Sequence, residues 1–247
     1  MSMNQGIFAT ALLVIGAPTG AAYADWSGKS EAGVVISSGN TNTKAGNAKL
    51  DLTYDVKKWK FIFDATGVYT SDDTGTTGQR WEVKGQHEYN FDPKTFWYDS
   101  ARYENDRFSG FLYQAALGAG LGHRFFDTPD LKLTAQGGVG YKLAETRDSL
   151  AEDGVTFVPG ETDREAILQA GVDYEQALTG TTKLINKFLT EAGSQNVFLQ
   201  NDLSLQVKIT QVLALAVGYS VRHNTKPPGG FKNTDTLTTL NMVYEFK

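Results

Sequence analysis

Residues 197–224 read VFLQNDLSLQVKITQVLALAVGYSVRHN. In the first half Val197, Leu199, Leu203, Leu205, Val207 and Ile209 fall on one face, interrupted only by Asn201. Gln200, Asp202, Ser204, Gln206 and Lys208 fall on the other. The second half repeats this, with Leu213, Leu215, Val217, Tyr219 and Val221 against Ala214, Ala216, Gly218, Ser220 and Arg222. A period of two puts alternate side chains on opposite faces of a β-strand. Thr210-Gln211 is a short link between the two strands.

The same alternation extends toward the amino terminus. Trp81, Val83, His87, Tyr89 and Phe91 oppose Arg80, Glu82, Lys84, Gln86 and Glu88, and Leu131, Leu133, Val139, Tyr141 and Leu143 oppose Lys132, Thr134, Gln136 and Lys142. No helical periodicity competes after residue 25. Breaks between runs predict about twelve strands, near 26–38, 43–56, 59–71, 79–91, 95–107, 111–126, 131–147, 164–178, 182–192, 197–209, 212–224 and 235–246. These are far longer than the usual five or six residues or so of a globular strand, and match the roughly 9–11 that a tilted strand needs to cross a bilayer.

The links separate by length. Val56-Lys57-Lys58, Asp92-Pro93-Lys94, Asp127 to Asp130, Thr179-Gly180-Thr181 and Thr210-Gln211 are short, whereas Asp72 to Gly78, Asp148 to Asp163 and Lys226 to Thr234 are longer. Short turns at one end and longer loops at the other are the pattern of outer-membrane barrels. Alternation alone does not say which face points inward. Twelve strands lined with Val and Leu would enclose a large apolar void, while an apolar exterior in lipid removes it. The fold expected is therefore an all-β, antiparallel up-and-down transmembrane barrel.

On that reading the polar face lines the lumen. Its candidates are Lys49, Asp51 and Asp64, then Arg80, Glu82, Lys84, Arg102 and Glu104, then Lys132, Lys142 and Asp173, and finally Asp202, Lys208 and Arg222. Both signs are interleaved, so pairing across neighbouring strands is expected. Trp59, Trp81, Trp97, Tyr141, Tyr219, Tyr244 and Phe246 fall toward strand ends on the apolar face, as interfacial girdles do.

The first 24 residues differ. GIFATALLVIGAPTG, residues 6–20, is uncharged and too short for a membrane-spanning helix, and Ala22-Tyr23-Ala24 forms a small-x-small cleavage pattern. Residues 1–24 are expected to be a secretory signal peptide cleaved after Ala24, and residues 25–247 the barrel, although MSMNQ lacks the usual Lys or Arg. The chain has no Cys, so an exported form is held by packing and backbone pairing, not by disulfides. A net charge of −5 gives no reason to expect a nucleic-acid partner.

Residues 236–247, TLTTLNMVYEFK, resemble the carboxyl-terminal assembly signal of outer-membrane barrels, with Tyr244 and Phe246 as its hydrophobic pair. Lys247 after the aromatic and Asn241 in place of a frequent Gly depart from it. Trp26, Gly28, Glu31, Gly33 and Gly39-Asn40-Thr41, with Gly137-Gly138-Val139-Gly140-Tyr141 and Val243-Tyr244-Glu245-Phe246, resemble a bacterial family of unknown function whose members are labelled salt-induced outer membrane proteins. The resemblance implies a Gram-negative outer-membrane barrel and no reaction. The expected partners are outer-membrane lipid and the barrel-assembly machinery, for a monomer without cofactor or metal.

Two other functions have candidate residues in the sequence. His223 has the parity and height of a lipid-side catalytic histidine, but Ser220 faces the other way and no matching Ser adjoins it. Asp72-Asp73, Glu152-Asp153 and Glu161 to Asp163 lack the spacing of a calcium loop and read as solvated charge. The alternatives to a passive pore or structural barrel are thus a lipid-acting enzyme and an exported soluble ligand-binding barrel.

Overall fold

The computed structural model describes residues 25–38, 44–72, 75–107, 109–150 and 157–247. The expected signal peptide, the Gly39-Asn40-Thr41 turn, and Asp73, Glu152 and Asp153 lie outside these residues. Strands β1 (Asp25–Ser38), β2 (Lys44–Val56), β3 (Trp59–Asp72), β4 (Gly75–Asn90), β5 (Thr95–Asp106), β6 (Phe111–Asp127) and β7 (Leu131–Thr146) form an antiparallel meander. Two short strands, β8 (Ser149–Leu150) and β9 (Phe157–Val158), pair only with each other. The meander resumes with β10 (Thr162–Ala177), β11 (Thr182–Gly193), β12 (Val197–Lys208), β13 (Leu213–Asn224) and β14 (Thr234–Phe246).

The 12 long strands close into one barrel, because β14 pairs with β1 from Gly28↔Phe246 to Ser38↔Thr236. Closure leaves no sheet edge, which is the condition for a sheet in lipid. The seam is also fastened by side chains: Asn241 Nδ2 on β14 donates to Glu31 Oε2 on β1 at 2.9 Å. This gives Asn241 a structural task at the position where an assembly signal often has Gly.

The apolar parity faces outward. Leu117, Val139 and Leu168 are about two-thirds exposed, while Arg102, Glu104, Glu191 and Gln206 are buried inside. That is the reverse of a soluble barrel, which packs its apolar face inward. The polar interruption at Asn201 is partnered on the outer surface, where Asn186 Nδ2 donates to its Oδ1 at 3.1 Å.

One expected loop is shorter than its sequence suggests. Asp72 to Gly78 reads as a loop, yet β3 and β4 continue pairing to Asp72↔Gly75 after a bulge at Thr70/Ser71. Gly, Thr and Ser lack the alternation that marks a strand, but an antiparallel ladder needs only backbone to continue. The length asymmetry of the two barrel ends therefore rests, among the described residues, mainly on residues 147–161 and 225–233.

The inner face of the wall at β6 and β7 is lined by glycine. Gly118, Gly120, Gly122, Gly138 and Gly140 share the inward parity, and a Cβ at Gly120 or Gly138 would overlap the backbone of the facing strand. A Cβ at Gly122 would overlap the Phe96 ring, and one at Gly118 the Gln169 side chain. Glycine here lets neighbouring strands fold inward and lets side chains from other strands fill the corner.

Candidate functional site: the lumen

A bar of side chains crosses the lumen toward the end that carries the longer loops. Arg102 on β5 makes a two-point contact with Glu191 on β11, through Nε to Oε1 at 2.9 Å and Nη2 to Oε2 at 2.5 Å. Its Nη1 donates to Glu104 Oε2 at 2.9 Å. Arg222 Nη2 on β13 also donates to Glu104 Oε2, while Arg222 Nη1 takes Gln200 Oε1 at 3.3 Å. Glu82 lies 3.6 Å from Arg102 and 3.7 Å from Arg222, and Lys142 lies 3.6 Å from Glu191.

At the centre of this bar sits an aromatic ring. Phe198 is fully buried on the inward face of β12. The guanidinium carbons of Arg102 and Arg222 lie 4.9 Å from its centroid, and Lys142 Nζ 5.3 Å. Three cations held against one ring in a water-poor site gain cation–π attraction in addition to their carboxylate partners.

The span of the bar sets the shape of the barrel. Around the ring, β5 and β13 are six strands apart in either direction. A circular barrel of this strand number would be roughly 25 Å across at the backbone, more than one Arg and one Glu can bridge. Their contact therefore requires a flattened cross-section, in keeping with the glycine-lined inner face of β6 and β7, which side chains of other strands approach closely. Two further cross-links lie deeper: Gln169 Oε1 on β10 accepts from Tyr98 Oη at 3.3 Å and Ser100 Oγ at 3.2 Å on β5, and Gln86 on β4 exchanges amide hydrogen bonds with Gln136 on β7 at 3.1 Å.

Beside these cross-links remains a cavity of about 380 Å³. Lys49, Asp51, Asp64, Arg80, Glu82, Lys84, Arg102, Asp173, Asp202 and Arg222 line it, and Glu104 and Lys142 belong to the adjoining bar. Lys132 and Lys208 do not join them; both are exposed near the short-turn end. Within the cavity Lys29 bridges Asp51 at 3.0 Å and Glu31 at 3.1 Å, and Lys187 faces Asp64 at 4.0 Å. The charges of the wall are thus largely neutralised in place. Pairing across neighbouring strands, the sequence expectation, accounts for Lys29–Asp51, whereas the strongest contacts reach across the lumen instead.

The sequence reading missed the residues that complete the bar. Glu191 has the parity of Lys187, but Leu189 between them breaks the polar run. Phe198 has the parity of Gln200 and Asp202, and its apolar character hid it. Phe96 and Tyr98 are likewise fully buried on the inward face of β5. Parity was the available signal for all four.

The mouth at the end with the longer loops is partly crossed by the connection from β13 to β14. Asn196 anchors this segment, donating to Asn224 Oδ1 at 2.7 Å and accepting from Lys226 N at 3.0 Å. The Phe231 ring lies against Gly110 in the β5–β6 connection, on the far side of the ring of strands, where Gly110 takes a φ of 77°.

Outside, Trp59, Trp81, Trp97, Tyr141, Tyr219 and Tyr244 are exposed on the apolar face, and Phe246 is half-buried at the seam. His223 is also on this face, with Nδ1 2.8 Å from Thr234 Oγ1; Ser220 points to the lumen. No Ser–His pair for acyl transfer is formed there.

Comparison with known proteins agrees with this architecture. The barrel superposes on the NanC porin with a TM-score of 0.54 at 10% identity, covering 90% of this chain and all of that one. It superposes on the translocator domain of autotransporter NalP from Neisseria meningitidis with a TM-score of 0.52 at 12% identity, covering 90% and 88%. The fold is that of a transmembrane antiparallel β-barrel. In sequence, the uncharacterized protein YdiY of Escherichia coli K12 is 23% identical over 220 residues, 88% of this chain and 82% of that protein. A family model matches residues 30–246, and the chain belongs to that family, the proteins of unknown function DUF481.

Proposed function

We propose that the protein is an outer-membrane pore held narrow by a fixed bar of side chains, not an open general porin. The observation that carries this is the Arg222–Glu104 contact across the full ring of strands, with Phe198 and Arg102 filling the space beside it. Below the bar the lumen is polar and nearly charge-balanced, so it admits small ions and water without strong selection by sign. The rest of the reading follows from an exported barrel in a Gram-negative cell. Residues 1–24 direct export with cleavage after Ala24, β14 is presented to the barrel-assembly machinery, and the product is a monomer surrounded by outer-membrane lipid. A tie to salt or osmotic stress rests on the family resemblance alone, and protein levels after a salt shift test it.

Single-channel conductance in planar bilayers decides the pore reading. Mature protein, residues 25–247, is expected to give small discrete steps, and Phe198→Ala larger ones. Wide steps from the unmodified chain would refute the bar. Silence from both, with each barrel shown to be folded by a heat-shifted gel band, would refute conduction and leave a structural barrel.

A further inference from the structure

On the outward face of β4 and β5 a histidine and an aspartate meet among aromatic rings. His87 Nδ1 is 3.4 Å from Asp99 Oδ2, and the two are register partners. The His87 ring stacks on Trp59 at 4.9 Å and packs against Phe61 at 5.0 Å. Trp59 in turn packs on Tyr89 at 4.7 Å, and Lys58 Nζ in the β2–β3 turn lies 5.9 Å from the Tyr89 ring. None of these residues faces the lumen. The Asp99 side chain is 55% exposed and that of His87 32%.

A carboxylate on the lipid-facing side is costly unless its charge is met. His87 meets it from one side only, and much of Asp99 stays open. Depth is informative here. His87 is two residues from Tyr89, and Asp99 two from Trp97, so the pair lies roughly 5 Å along the barrel axis from those aromatics. Interfacial Trp and Tyr sit at head-group level, so the pair faces the zone of phosphates and glycerol.

We propose that His87 and Asp99, framed by Trp59 and Tyr89 with Lys58 at the rim, bind the head group of an aminophospholipid from the surrounding leaflet. The primary ammonium donates N–H to the open side of Asp99. Its phosphate faces Lys58 and, when the imidazole carries both protons, the Nε2–H of His87, whose Nδ1–H is held by Asp99. Phe61 and Phe63, exposed on β3 at and beyond the depth of His87, take the glycerol and the first part of the acyl chains. A choline head group has no N–H to give Asp99, and an anionic glycerol head group brings no cation, so both bind less well. The site rests on the membrane-spanning fold and is independent of whether the lumen conducts.

Native mass spectrometry of the refolded mature chain tests it, in detergent doped with equal amounts of phosphatidylethanolamine, phosphatidylcholine and phosphatidylglycerol of identical chains. Unmodified protein is expected to retain phosphatidylethanolamine about tenfold over the other two, the lower end of what one charge-assisted hydrogen bond supplies. Asp99→Asn is expected to abolish that preference, and His87→Phe, which keeps a stacked ring, to lower retention of all three lipids. Equal retention by the unmodified protein overturns the proposal whatever the variants do. An unchanged preference in a folded Asp99→Asn barrel overturns it as well. Conductance of Asp99→Asn should match the unmodified chain, which separates this site from the lumen.

Discussion

Arg222 on β13 and Glu104 on β5 occupy opposite points of the ring of strands, and they are hydrogen-bonded directly. Both side chains are nearly sealed from solvent, at 7% and 1% exposure. Removing one partner of such a pair strands a buried charge and costs about 3–5 kcal/mol, whereas removing both costs less than the sum. Glu104→Ala and Arg222→Ala are each expected to lower the urea midpoint of the folded barrel markedly. The double variant should recover part of that loss. Strictly additive effects would mean that the two charges are not coupled across the lumen.

The corner at β6 and β7 makes a second prediction. Phe96 fills the space left by Gly122, so Gly122→Ala forces the ring or the strand to move. Such overpacking costs about 1–3 kcal/mol. The Phe96 ring also lies under the Arg124 guanidinium at 4.3 Å, and Arg124 reaches Glu88 and Asn90, so displacement propagates to that polar group. Gly122→Ala is expected to reduce refolding yield, measured by gel shift, and Phe96→Leu in the same chain to restore part of it. Failure of the smaller side chain to rescue would place the fault in the backbone instead.

A pH dependence is expected in the β4–β5 turn. Asp92 Oδ1 accepts from Lys94 N at 2.7 Å and Thr95 N at 2.8 Å. These two backbone N–H groups, Lys94 first, hold its carboxyl below the ordinary value of 3.8. A depressed carboxylate stabilises the folded turn above the unfolded value, and that contribution fades as pH falls through the lower folded one. The Lys94 and Thr95 amide resonances should therefore titrate below the ordinary carboxylate range. In Asp92→Asn they should not move at all; titration persisting in that variant would mean another group is responsible.

How far the sequence reveals these features depends on range. Strand number and the separation of an apolar from a polar face follow from a period of two, which is local and needs no knowledge of what lies opposite; the outward direction of the apolar face adds only the volume that twelve strands enclose. Arg102, Glu104 and Arg222 could be assigned to the lumen for the same reason. Their partners could not, because which strands face each other depends on the flattening of the whole ring, and the close approaches at Gly118, Gly120, Gly122, Gly138 and Gly140 on β6 and β7 appear only once it is folded. In the sequence those glycines read only as strand residues permitting curvature. Phe198 illustrates the limit most clearly: hydrophobicity argues for lipid, parity for the lumen, and only the three cations gathered around its ring explain why parity prevails.

The seam yields the last prediction. Gly33 on β1 is the register partner of Asn241 on β14, and Asn241 donates to Glu31 two residues before it. A Cβ at Gly33 would overlap both the Asn241 side chain and the Leu240 carbonyl oxygen. Gly33→Ala must therefore either break the Asn241–Glu31 bond or separate the two strands that close the barrel. Asn241→Ala removes only the bond, worth about 1 kcal/mol, because Glu31 keeps its ion pair with Lys29. The expected order of stability is unmodified, then Asn241→Ala, then Gly33→Ala, read from urea midpoints. Closure gives the seam a leverage the other strand pairs lack, since opening it exposes two long edges to lipid at once. Unfolding followed by hydrogen exchange should thus show β1 and β14 losing protection first in Gly33→Ala; uniform loss around the ring would mean that the seam is no weaker than the rest of the wall.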